Sequence, residues 1–130
     1  MLAPGILDEV TGDAKRSYPR EGCGLLVGRQ VATRFIPMKN VAPDASRYEM
    51  DPQQLIVTLR ELRGTGEDLV GIYHSHPHGP SEPSTTDIEL ALYPEAAHLI
   101  ISLADPERPR AEAFRIIAGE VLPIEVHVIV

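Results

Sequence analysis

The sequence is poor in cysteine, in aromatic residues and in positive charge. Cys23 is its one cysteine in 130 residues, so no internal disulfide can form and a reducing compartment suits the chain. Tryptophan is absent and aromatic residues make up 5%, so aliphatic side chains must fill the core. Twelve Lys and Arg against nineteen Asp and Glu give a net charge of -7. That balance disfavours nucleic-acid binding through a basic surface.

Long apolar runs are also missing. No stretch approaches the ~20 apolar residues that span a bilayer. Residues 1–9 carry Asp8 and Glu9 where a secretory signal would carry basic residues. We therefore expect a cytoplasmic protein without a membrane partner. The length predicts one domain, residues 1–130, with a core of its own.

Hydrophobic periodicity and turn residues predict interleaved helices and strands. Asp51 followed by Pro52 is typical of a helix start. The last third is rich in strands joined by short turns, which favours an α/β fold with a mixed or antiparallel sheet flanked by helices. Helices are predicted at 6–18, from 52 to the glycines at 64 and 66, and from 84 to before 94; strands are predicted at 22–27, 31–38, 47–50, 69–73, 98–103, 111–117 and 121–130.

Two histidines at the end of a predicted strand are the most informative feature present. Residues two apart on a strand point to the same face, so His74 and His76 are placed to bind one cation. Asp87 follows after a loop rich in glycine and proline and offers a third ligand. Three protein ligands with one position left for water are typical of catalytic zinc.

Two of the candidate residues have an ordinary alternative. Ser84 and Asp87, three apart before an apolar run, also match a helix capping box, and the two interpretations compete for the carboxylate. Glu21, just before the strand at 22–27, is a candidate general base, but from local context alone an ordinary exposed glutamate in a turn is the better interpretation. His98 and His127 are single histidines on apolar strands, and we expect them to be core residues with satisfied hydrogen bonds.

Two segments resemble the signatures of a known family. The segment His-Ser-His-Pro at 74–77 resembles the JAMM motif, with seven residues between His76 and Ser84 and two between Ser84 and Asp87. That motif marks the MPN-plus (Mov34/PAD-1) family of metal-dependent peptidases. The segment Glu-Gly-Cys-Gly-Leu-Leu-Val-Gly at 21–28 is similar to the first signature of the same family. The chain is identified as a bare prokaryotic single-domain member.

The resemblance implies a fold, a site and an activity. It implies a cytidine-deaminase-like α/β fold and one zinc ion per chain, held by His74, His76 and Asp87. It assigns Glu21 as the base that activates water and Ser84 as a donor to the oxyanion. The implied reaction is amide hydrolysis at the C-terminal tail of a ubiquitin-like or sulfur-carrier protein that ends in Gly-Gly.

Two other functions fit parts of the pattern. A non-catalytic MPN-type scaffold would keep the fold, but the intact ligand set argues against it. A DNA-repair-associated protein of the RadC type shares the His-x-His-Pro loop, and the acidic charge and the 21–28 segment argue against that. Cys23 is expected to be a small core residue rather than a nucleophile. The sequence does not specify the leaving group, the oligomeric state or a role for His78.

Overall fold

The computed structural model describes residues 1–129, which contain three helices and six strands. The helices are α1 (Ile6–Ser17), α2 (Pro52–Thr65) and α3 (Thr85–Glu89). The strands are β1 (Cys23–Arg29), β2 (Val31–Met38), β3 (Asp68–His76), β4 (Ala97–Ser102), β5 (Arg110–Ile117) and β6 (Glu120–Ile124). None of the described helices is long and apolar enough to cross a membrane.

The six strands form one sheet in the order β2-β1-β3-β4-β5-β6. Strands β3 and β4 run parallel, and every other neighbouring pair is antiparallel. A parallel pair needs a crossover connection, which the segment containing α3 provides. The predicted single α/β domain with a mixed sheet flanked by helices is confirmed.

An apolar cluster lies on each face of the sheet, one with residues of α1 and the other with residues of α2. Successive residues of a strand point to opposite faces and so contribute to different clusters. On β1, Leu26 packs in the cluster that contains α1, while Leu25 packs in the cluster that contains α2. On β3, Ile72 belongs to the α2 cluster. By alternation, His74 and His76 lie on that same face, so the site opens on the α2 side of the sheet.

Helix α2 has the boundaries that its sequence signals predicted. The Asp51 side chain accepts hydrogen bonds from the backbone N–H groups of Gln53 and Gln54, at 3.0 and 3.5 Å. Pro52 occupies the first turn, where its missing N–H costs nothing. Gly66 ends the helix with φ of 74°, a left-handed conformation that glycine adopts without a Cβ penalty.

The predicted strand at 47–50 is wrong. Within it only Met50 forms a β-bridge, an isolated one with Asn40. The chain between these two residues is a loop, residues 41–49, which we call the β2–α2 loop. The backbone N–H groups of Ala42 and Glu49 in this loop donate hydrogen bonds to the Asn40 side-chain oxygen rather than to a neighbouring strand.

Two further boundaries differ from prediction. Helix α3 ends at Glu89, and Leu90 and Leu92 beyond it are 61% and 66% exposed, so the apolar stripe expected there is not buried. Strand β6 ends at Ile124 rather than continuing to 130. Val128 instead forms an isolated bridge with Leu2. Val130 lies outside the described residues.

Candidate active site

Three side chains predicted as metal ligands meet at one point. The Nε2 atoms of His74 and His76 are 3.1 Å apart, and Oδ2 of Asp87 lies 3.1 Å from the first and 3.0 Å from the second. Oxygen or nitrogen ligands at ~2.0–2.1 Å from a tetrahedral zinc ion lie about 3.3 Å from one another. The observed separations therefore fit one tetrahedral zinc ion.

Glu21 joins this cluster, although its sequence context did not require it to. One oxygen of its carboxylate and the three ligand atoms all lie within 4.8 Å of one another. The side chain is buried, and its Oε1 atom has no hydrogen-bond partner among residues 1–129. A buried carboxylate oxygen without a partner costs free energy unless a cation or water satisfies it. The donor set thus fits a metal ion with an acid beside it.

Strand β3 runs to His76, three residues beyond its predicted end at residue 73, so both histidines lie within the last three residues of the strand. His74 is opposite Cys23 of β1, and His76 is opposite Ser102 of β4. The loop after His76 is held by Ser102, whose hydroxyl donates to the Gly79 carbonyl at 2.6 Å. The site is therefore built on central strands of the sheet rather than on free loops.

The tautomer of His76 follows from its second ring nitrogen. Nδ1 lies 2.7 Å from the carbonyl oxygen of Pro80, which can only accept, so Nδ1 carries the proton and donates. Nε2 is then left with a lone pair for a metal. Such a hydrogen bond on the far nitrogen is how metal-binding histidines are oriented.

Asp87 is placed for both of the roles that competed in the sequence, helix cap and metal ligand. Its Oδ2 accepts from the Ser84 backbone N–H at 2.8 Å while contacting both histidines. The Ser84 hydroxyl in turn accepts from the Asp87 backbone N–H at 3.1 Å, which completes a capping box. The hydrogen bond from Ser84 holds the carboxylate in place. It uses one lone pair of Oδ2 and leaves another for a cation.

Burial and the histidines set the protonation of the carboxylates. Burial raises the pKa of Glu21 to about 8, against a smaller lowering effect of His76. Burial also acts to raise the pKa of Asp87, but its close contacts with the His74 and His76 rings hold that pKa well below its usual range. Burial lowers the pKa of His74 and so favours the neutral ring that a metal requires.

Sequence reasoning missed Tyr48, which lies on the β2–α2 loop. Its ring stacks on the imidazole of His74, with centroids 4.5 Å apart and planes 20° from parallel. It also missed Asn40, whose side chain contacts the backbone of Glu21. Neither residue belongs to a recognisable motif or to a periodic pattern.

The expectations for the other histidines and the cysteine had mixed outcomes. His98 is buried, but its Nε2 has no partner within the described part of the chain, so it is not satisfied as expected. The side chain of His127 is 62% exposed and pairs with Glu125, so the core assignment was wrong. Cys23 is a core residue, and burial raises the pKa of its thiol to about 12, which leaves it un-ionised and inert.

A largely buried His-His-Asp-Glu cluster, gathered where a central strand of the mixed sheet ends, defines a zinc-dependent hydrolase of the JAMM type. The chain belongs to the family described as prokaryotic homologs of the JAB domain, whose family model matches residues 4–117. The resemblance inferred from the two motifs is confirmed.

Known proteins agree with this assignment. The CysO-cysteine peptidase of Mycobacterium tuberculosis is 32% identical over 132 aligned residues, which cover 99% of this chain and 90% of the relative. The desampylase of Haloferax volcanii is 38% identical over 101 residues, covering 75% of this chain and 73% of the relative. The solution structure of a Desulfitobacterium hafniense protein superposes with a TM-score of 0.88 at 32% identity, over 98% of this chain and 92% of that one.

Proposed function

We propose that this chain cleaves an amide bond at the C-terminal tail of a ubiquitin-like or sulfur-carrier protein. The observation that supports the chemistry is the convergence of Glu21 on His74, His76 and Asp87, all within 4.8 Å. The names of the relatives support the substrate class, since they are a CysO-cysteine peptidase and a desampylase. Residues 1–130 form the catalytic domain in this proposal.

Glu21 takes the role of proton carrier. A zinc ion held by His74, His76 and Asp87 would polarise the scissile carbonyl, lower the pKa of a coordinated water towards ~7 and favour the ionised form of Glu21. The Glu21 carboxylate accepts the proton of the attacking water and later passes it to the leaving amine. Its burial keeps bulk water from competing for that proton.

Ser84 takes the role of oxyanion donor. Its hydroxyl oxygen already accepts from the Asp87 N–H, so its own hydrogen stays available to donate. The residue is exposed at the start of α3, beside the ligand that the helix carries. Negative charge develops on the carbonyl oxygen in the transition state. A hydrogen-bond donor aimed at that charge binds the transition state more strongly than the ground state and so lowers the barrier.

The burial of the donors favours a substrate tail without side chains. The side chains of His74, His76 and Asp87 are at most one-tenth exposed, so the scissile bond must enter a narrow approach. Glycine has no Cβ and adopts extended backbone without steric cost, which suits a Gly-Gly terminus. The single buried cysteine agrees with a cytoplasmic location, which we include in the proposal.

The test is cleavage of a defined substrate by a metal-analysed protein. The zinc content is measured first, and the protein is then incubated with a β-grasp sulfur-carrier protein whose Gly-Gly end is extended by a short peptide. We expect about one zinc per chain and release of the peptide directly after the second glycine. A chelator should abolish the release and added zinc should restore it. Cleavage that persists at full rate in the Glu21→Gln variant would overturn the proposed mechanism.

A substrate without the Gly-Gly end is the matched control. The same carrier ending in Ala-Ala before the peptide should be cut far more slowly, because each Cβ narrows an approach that is already tight. Equal rates on the two substrates would overturn the Gly-Gly part of the proposal and leave the metallopeptidase assignment intact.

A further inference from the structure

The peptide group that joins Glu21 to Gly22 is held at both ends by side chains. The Glu21 carbonyl accepts a hydrogen bond from the Asn40 amide nitrogen at 2.9 Å. The Gly22 N–H donates to the Ser75 hydroxyl oxygen at 2.7 Å. Because a peptide group is planar, fixing its two ends fixes the plane and with it the position of the Glu21 Cα, from which the side chain leaves the backbone.

Glu21 needs such support because no regular element holds it. Helix α1 ends at Ser17 and strand β1 begins at Cys23, so Glu21 lies in the turn between them. Its Oε1 atom has no partner among the described residues, so no hydrogen bond to that atom orients the carboxylate. The Glu21 carboxylate must point at the reacting water, and its position therefore depends mainly on how the Glu21 backbone is held.

Asn40 also organises the β2–α2 loop. Its carbonyl oxygen accepts from the N–H groups of Ala42 and Glu49 at 2.9 and 3.1 Å, and its amide nitrogen donates to the Arg47 carbonyl at 3.3 Å. One side chain therefore ties the Glu21 backbone to the loop that carries Tyr48. The buried Ser75 lies between the two histidines and ties the next peptide nitrogen to β3.

We propose that Asn40, with Ser75 completing the clamp, is a positioning residue that aims the Glu21 carboxylate at the reacting water. This inference rests on the proposed function, since it assumes that Glu21 carries the proton. Asn40 touches no ligand atom and no substrate in this assignment. Its effect on the reaction passes through the Glu21 backbone.

Asn40→Asp is the informative substitution, and Gln54→Glu is its matched control. The aspartate keeps the oxygen that accepts from the loop but loses the amide hydrogens that bind Glu21 and Arg47. Gln54 likewise donates to the Pro37 carbonyl and accepts from the Lys39 N–H, at the same end of β2 but away from Glu21. Both changes replace an amide by an acid and add one negative charge. Asn40→Ala removes the donor without adding a charge.

The expected result is a loss of turnover without a loss of binding. Both Asn40 variants should keep one zinc per chain and an unchanged KM for the Gly-Gly fusion, while kcat falls on the order of 10- to 100-fold. Gln54→Glu should keep kcat within about twofold, as expected for a surface change away from the site. Ser75→Ala, which removes the other half of the clamp, should resemble the Asn40 variants.

A double variant decides whether Asn40 acts through Glu21. Under single-turnover conditions with excess enzyme, Asn40→Asp should slow the Glu21→Gln chain no further, because the group that it positions is already gone. An equal fold-loss in both backgrounds, loss of zinc, or kcat values that match Gln54→Glu would overturn the inference. Normal turnover of the single Glu21→Gln variant would overturn the proposed function instead, so the two failures are distinguishable.

Discussion

The phenol ring of Tyr48 lies nearly parallel to the imidazole ring of His74, with centroids 4.5 Å apart. The contact covers a candidate metal ligand whose Nδ1 atom has no hydrogen-bond partner among residues 1–129. His76, in contrast, is oriented by the Pro80 carbonyl. The two ligands are therefore held in place by different forces, one by stacking and one by a hydrogen bond.

Removing the Tyr48 ring should weaken zinc binding. An aromatic pair contributes ~0.5–1.5 kcal/mol beyond burial, so Tyr48→Ala should raise the zinc dissociation constant about two- to tenfold. Tyr48→Phe keeps the ring and should bind zinc like the unchanged chain. Competition with a chromophoric chelator measures both. Equal affinities for the alanine and phenylalanine variants would show that stacking does not hold His74.

Asp87→Ala should lose both zinc and a helix cap. Without its third ligand the site should release the metal, while the missing cap destabilises the fold by about 1 kcal/mol. Asp51→Ala is the control, because it removes the cap of α2 and leaves the ligands untouched. That variant should lose similar stability and keep full zinc content. A zinc-replete Asp87→Ala protein would contradict the ligand assignment.

Ser84→Ala should lower turnover and leave zinc bound. Loss of one oxyanion donor costs on the order of 100-fold in kcat, and loss of the hydroxyl that accepts from Asp87 costs about 1 kcal/mol of stability. Ser84→Thr keeps a hydroxyl for both purposes and should restore most of each. Steady-state kinetics and thermal unfolding separate the two effects. A kcat for Ser84→Ala equal to that of the unchanged chain would exclude the donor role.

The buried Glu21 should make the metal-free protein less stable as pH rises. Burial raises its pKa to about 8 in the folded state, against 4.5 as the ordinary value. Between those two pH values the unfolded chain has lost a proton that the folded chain retains, so the free energy of unfolding falls as pH increases. Glu21→Gln lacks the ionisable carboxyl group and should therefore gain stability relative to the unchanged chain as pH rises from 4.5 towards 8.

Urea unfolding with excess chelator across that pH range measures the difference. Below about pH 4.5 both states of the unchanged chain keep the proton, so the pH-dependent difference between the two proteins should vanish. A gap that is constant with pH would show that Glu21 ionises normally in the metal-free fold.

Gly22→Ala should destabilise the fold, because the space beside this residue is already filled. A Cβ there would lie 2.5 Å from the Tyr73 hydroxyl and 2.7 Å from a carboxylate oxygen of Asp13. Overpacking of this kind costs ~1–3 kcal/mol. Gly64→Ala, with nothing within 4 Å of its added Cβ and a place inside α2, should be neutral or stabilising by up to about 1 kcal/mol. Thermal unfolding should show a lower Tm for Gly22→Ala and an unchanged or higher Tm for Gly64→Ala.

Much of the site was predictable because its spacing is local. His74 and His76 share a face since strand side chains alternate, and Ser84 and Asp87 are three apart since a capping box requires it. The boundaries of α2 followed from Asp51, Pro52 and Gly66 for the same reason. The strand predicted at 47–50 failed because alternation over four residues is too short to exclude a loop.

The sequence by itself determined the ligand types, their order and the elements that carry them, because strand alternation and helix caps depend on neighbouring residues. Only the tertiary structure decided which distant groups support them. It showed that Asp87 caps α3 and faces the histidines with the same oxygen. It also brought Asn40 to Glu21 and Tyr48 to His74. Those contacts depend on how the sheet places β2, β1 and β3 side by side, and no local pattern encodes that.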